Sequence, residues 1–127
     1  MDKIHPSYYA PVAAGVVADP LDFIRACRFS IGSALKYLWR AGKKPGESEA
    51  DDLGKADFYL KDALDHGEVI PDFIARGMRD KLEILCEKNY FWETLLLKEY
   101  SSQARFILTL GEIRKRLEQI KKGAGRG

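Results

Sequence analysis

The chain has 127 residues, 46% of them hydrophobic and 31% charged, and carries a formal net charge of +2. These values describe one compact core with an extension and the composition of an ordinary soluble protein, make two domains unexpected, and leave a charge too small to make nucleic acid the default partner, so that any basic patch is local. No run of about 18 apolar residues and no charged leader pattern occurs, so no membrane partner is predicted and the expected location is the cytoplasm. Cys27 and Cys86 lack CxxC spacing and histidine neighbours, and read as free thiols of a reducing compartment.

Residues 1–18 form an arm with Pro6, Pro11 and the pair Tyr8-Tyr9. Asp19-Pro20 is a helix-start signal, and the helix it opens is predicted to reach about Phe29. Ser30 then caps a second helix, ending near Ala41 because Gly42 suits the position after a helix and Pro45 follows. A third helix starts at Glu49 or Ala50 and carries Leu53, Ala56, Leu60, Ala63 and Leu64 on one face before Gly67 stops it. Pro71 opens a fourth, predicted to run to about Glu87. From Tyr90 to Lys122 there is no proline, which fits one long helix or two parted near Ser101-Ser102.

Phe106, Leu110, Ile113, Leu117 and Ile120 are spaced 4, 3, 4, 3. This short heptad seam serves either packing on the chain's own domain or a homo-oligomer through residues 106–120. The predicted fold is all-α: a compact helical domain with its arm over residues 1–67, a C-terminal long-helix or helical-hairpin extension over 68–122, and a disordered tail over 123–127.

The chemistry concentrates on the second and third helices. At roughly 100° per residue, Gly32, Lys36, Arg40 and Lys43 share one side while Ile31, Ala34, Leu35, Leu38 and Ala41 share the other. Cations near a helix C-terminus also oppose the macrodipole, which accounts for Lys43 and Lys44 without a ligand. Gly32 costs about 1 kcal/mol relative to alanine inside a helix, and close approach of a backbone or a ligand would offset that cost. On the third helix Asp52, Lys55 and Tyr59 lie at the edge of the apolar stripe, where they make either a solvated ion pair or part of a site.

The pair Gly42-Lys43 is followed by Lys44 and Pro45, not Ser or Thr, so a P-loop is excluded and phosphate binding would rest on side-chain cations. Glu47, Glu49, Asp51 and Asp52 crowd a helix start, and Asp62 and Asp65 follow on the same helix. Such acids would hold Mg²⁺ only with several waters, and no metal ligand is assigned. His66 reads as a helix-end residue. His5 precedes Pro6 in the aromatic arm, which serves either to stack on a base or to anchor the arm.

The ordered blocks His5-Pro6-x-Tyr8-Tyr9, Asp22-Phe23-Ile24, Gly32-x-Ala34-x-Lys36-Tyr37-x-Trp39-Arg40-x-Gly42-x-Lys44 and Asp52-Leu53-x-Lys55-Ala56-x-x-Tyr59-Leu60 resemble a small phage and prophage family. Most of its members are described only as a domain of unknown function, and some as nucleotide kinases. The resemblance covers about residues 4–64 and implies a phage-derived protein of the host cytoplasm that acts on or binds a nucleoside phosphate without a P-loop.

The expected site is a polar cleft in which His5, Tyr8, Lys36, Trp39, Arg40, Lys44 and Tyr59 bind substrate and Asp52 and Lys55 are catalytic. Arg40 would clamp a phosphate, Lys36 would add a point charge, Tyr8 or Trp39 would contact the base, and Asp52 would orient Lys55 or accept a proton. The expected reaction is phosphoryl transfer to a deoxynucleoside monophosphate, with a nucleoside triphosphate as donor. The alternatives are a non-catalytic phage protein that inhibits a host defence system or docks an acidic partner or nucleic acid, and a metal-dependent nucleotide pyrophosphohydrolase.

Overall fold

The computed structural model describes residues 24–43, 48–79, 90–96 and 100–126. Helices are α1 (Phe29–Arg40), α2 (Glu49–Asp65), α3 (Asp72–Arg79), α4 (Tyr90–Leu95) and α5 (Ser102–Arg126), with no strand among the described residues. The fold is therefore all-α, with a long C-terminal helix. Among the described residues no helix is long and apolar enough to cross a membrane.

α1 buries the apolar side expected of it, with Ile31, Ala34, Leu35 and Leu38 in the core. It packs chiefly on α2, whose Leu53, Ala56, Leu60 and Ala63 are fully buried opposite. The start of α1 touches the end of α2 through Ser30 and Asp62, and the end of α1 touches the start of α2 through Arg40 and Asp52, so the two run antiparallel.

The predicted first helix lies mostly outside the described residues, and residues 25–28 form a turn where the helix was expected to continue. Gly32 explains that turn: a Cβ on it would sit 3.0 Å from the Ile24 carbonyl oxygen. The close backbone approach that would offset the cost of this glycine is therefore present. Ser30 does not cap α1. Arg28 holds the cap position without a side-chain bond, and the exposed amides are met from the far end of α2: the Glu68 carboxylate accepts from Ser30 N at 3.4 Å and Ile31 N at 3.0 Å. The Ser30 hydroxyl instead donates to Asp62.

α2 begins at a capping serine, with Ser48 Oγ accepting from Asp51 N at 3.0 Å. Its C-terminus closes as a Schellman motif, because Gly67 takes φ +67° and the Glu68 and Gly67 amides donate to the Ala63 and Leu64 carbonyls. His66, the C-cap, turns its ring Nδ1 to the Asp62 carbonyl oxygen at 2.8 Å.

Of the predicted fourth helix, Asp72–Arg79 is helical, while residues 80–89 are outside the described set. The two-helix reading of the C-terminal third is the one realised. Ser101 Oγ accepts from Ala104 N at 3.2 Å and starts α5 anew. α5 continues through Gly123 to Arg126, past the predicted stop at Lys122, since glycine weakens a helix but still supplies its backbone N–H.

The heptad seam packs on the chain itself. Phe106, Leu110 and Ile113 are core residues, and Leu117 and Ile120 are half-buried against the same cluster, on α2 and α4. Two bidentate ion pairs tether the outer half of α5 to α2. Arg114 meets Asp57 at 2.9 and 3.3 Å, and Arg116 meets Glu49 at 2.7 and 2.9 Å. The Arg116 guanidinium holds the Glu49 carboxyl below its usual range.

Candidate functional site

Antiparallel packing brings the polar side of α1 beside the polar edge of α2, and the centre of the meeting is Tyr37. Its ring stacks on that of Tyr59 across the interface, with centroids 5.8 Å apart and planes within 8° of parallel. Three cations surround the Tyr37 ring: Arg40 Cζ at 4.5 Å, Lys36 Nζ at 4.8 Å and Lys55 Nζ at 5.4 Å from its centroid. Each lies within the roughly 6 Å over which a ring quadrupole attracts a cation, and that attraction offsets some of their mutual repulsion.

Beneath this surface lies a buried ion pair. Arg40 Nε donates to Asp52 Oδ1 at 3.1 Å, and the two side chains are 7% and 0% exposed. A carboxylate so placed neutralises one of the three cations and holds its Nε. Fully buried as it is, Asp52 has no exposed surface from which to reach a reacting hydroxyl, and its carboxylate meets the Arg40 guanidinium instead.

The remaining sequence-predicted residues divide clearly. Lys36, Arg40, Asp52, Lys55 and Tyr59 come together as expected. Trp39 does not join them: two residues beyond Tyr37, it points to the opposite side of α1, is 1% exposed, and forms part of the core with Lys43 Nζ 3.9 Å from its ring centroid. It is a packing residue, not a base-contacting one. His5, Tyr8 and Lys44 lie outside the described residues.

Besides Tyr37, two residues that the sequence does not assign to the site belong to this face. Phe29 is edge-on to Tyr59 at 5.7 Å, and Phe58 is edge-on to it at 5.2 Å. A signal for Phe29 was available, since it precedes Lys36 by seven residues and Arg40 by eleven, which puts all three on one line of the helix. Tyr37 could have been found in the same way, as the i−3 neighbour of Arg40.

Of the carboxylates considered for a metal, Glu49 holds α5, Asp52 meets Arg40, Asp62 accepts from Ser30 and faces His66, and Asp65 takes Lys61 at 3.0 Å, while Glu47 lies outside the described residues. Among the described residues no group of three or more His, Cys, Asp or Glu side chains is arranged to hold a metal ion. Nor is Cys27 a ready nucleophile, because burial and then the charge of Glu68 push its thiol up to about 11.

No curated protein and no solved structure matches the chain. The model of one family does, a protein of unknown function designated DUF3310. Its match spans residues 4–61, a little under half of the chain, and so contains α1, the α1–α2 connection and every residue assigned to the site above.

Proposed function

We propose that the α1–α2 face binds a nucleoside phosphate, with the base against Phe29 and Tyr59 and the phosphate between Lys36 and Lys55. The convergence of three cations on one stacked tyrosine pair carries this reading. Positive charge beside an open aromatic ring matches the two halves of a nucleotide, an anion and a flat π surface. Arg40 serves from below, ordered by Asp52. Phosphoryl transfer to a deoxynucleoside monophosphate is the reaction this reading leads to, with Lys55, the more exposed of the two lysines, stabilising the transferred group. The setting proposed with it, a phage-derived protein in the host cytoplasm, rests on the resemblance of the ordered sequence blocks alone.

Calorimetric titration with each deoxynucleoside monophosphate and with a nucleoside triphosphate tests the binding. Lys36→Ala and Lys55→Ala are each expected to weaken affinity about 10-fold or more, at the scale of a charge-assisted hydrogen bond, without loss of helical signal. Chromatography of the mixed nucleotides then reports transfer. Wild-type affinity in both variants would contradict the site, and binding without product would leave a binder rather than a kinase.

A further inference from the structure

A mononucleotide has one base, yet this face offers two open phenyl rings. Phe29 from α1 is 75% exposed and Phe58 from α2 is 65% exposed, and both stand edge-on to the same Tyr59 ring. Two exposed phenyl rings joined through the Tyr59 ring make a contiguous aromatic patch, and such patches mark interaction sites when polar residues rim them. The cations also extend beyond one phosphate. Past Phe29, a groove of about 240 Å³ is lined by Arg25, Arg28 and Lys36, while Lys55 lies on the Tyr37 side.

We infer that this face takes a single-stranded oligonucleotide, with one base on Phe29, the next on Phe58, and the backbone along Lys36, Lys55 and the Arg25–Arg28 turn. The inference rests on the nucleotide-binding reading of the same face and extends it from one nucleotide to at least two. Charge complementarity selects nucleic acid over an apolar protein segment, because the exposed rings are interleaved with lysine and arginine on the α1 side, the arrangement by which bases stack while phosphates follow a positive track. The acids bordering Phe58 do not oppose a base there. Asp57 is paired with Arg114, Asp65 with Lys61, and Asp62 is engaged by Ser30 and His66. They do limit the length of the track on that side, since they offer no cation in excess.

Titration of the full chain with thymidine monophosphate and with a thymidine tetranucleotide, at one fixed salt concentration, tests this. The tetranucleotide is expected to bind about 10-fold more tightly, a gain at the scale of one added base stack. Phe58→Ala, an exposed substitution, is expected to bring the tetranucleotide and the monophosphate to equal affinity for the variant. Equal affinities for the two ligands in wild type would overturn the oligonucleotide inference and leave the mononucleotide site standing. A tighter tetranucleotide that Phe58→Ala does not weaken would overturn it too, because the gain would then be electrostatic alone. Failure of both ligands to bind would remove the inference together with the reading it rests on.

Discussion

Asp52→Asn is expected to lower the stability of the fold by about 3 kcal/mol or more, the scale for breaking a buried ion pair from one side. The substitution keeps the volume of the side chain and removes its charge, so it leaves the Arg40 guanidinium, itself 6% exposed, without the carboxylate that compensates it. Seen from the sequence, where Asp52 stands at the edge of an apolar stripe, the same change would have been expected to spare folding. Burial reverses that expectation. Arg40→Lys is affected likewise, since the 3.1 Å contact from Nε to Asp52 is lost along with the guanidinium 4.5 Å from the Tyr37 ring. Urea unfolding reads the effect as a lower midpoint at constant slope. Replacing both partners by apolar residues, Arg40→Met with Asp52→Leu, is expected to recover most of the stability while weakening nucleotide binding, which separates the role of the pair in folding from its role in the site. A stable Asp52→Asn protein would show that the pair contributes little.

Leu110→Asp together with Leu117→Asp is expected to unfold the docked C-terminal helix. Leu110 is 6% exposed and Leu117 is half-buried in the same cluster as Phe106 and Ile113, so each aspartate would bring an unpaired charge against the core. Such substitutions are expected to cost about 3–5 kcal/mol. Circular dichroism would record a loss of helical signal and a lower melting temperature. A variant that melted like wild type but had half its mass in light scattering would instead place residues 106–120 between two copies.

Most of the helical plan is legible in the sequence because it rests on local chemistry. The 3.6-residue periodicity of α1 and α2 and the stops at Gly42 and Gly67 follow from side-chain spacing and from backbone conformations that glycine adopts at φ +76° and +67°. What was not legible depends on residues far apart in the chain. Glu68 caps α1 from 37 and 38 residues away, and Ser30 consequently serves Asp62 rather than its own helix. The heptad seam has the same spacing whether it meets its own domain or another copy, and its packing on α2 and α4 cannot be read from that spacing.

The site shows the same division. The lysines, Arg40, Asp52 and Tyr59 are found from helical faces alone. Burial of Asp52, the removal of Trp39 to the core and the central place of Tyr37 are not, since a face pattern ranks positions around an axis and says nothing of which neighbour covers them.

The central claim is that a nucleotide sits on the Tyr37–Tyr59 face among Lys36, Arg40 and Lys55. Its most direct test is a nuclear magnetic resonance titration of the isotope-labelled chain with a deoxynucleoside monophosphate, following backbone amides, tyrosine rings and lysine side chains. The expected result is saturable shifts at Phe29, Lys36, Tyr37, Lys55 and Tyr59, with the buried Trp39 indole unmoved. Shifts confined to another surface, such as the depression between Glu49, Phe91 and Lys115, or no shifts at any residue, would contradict it.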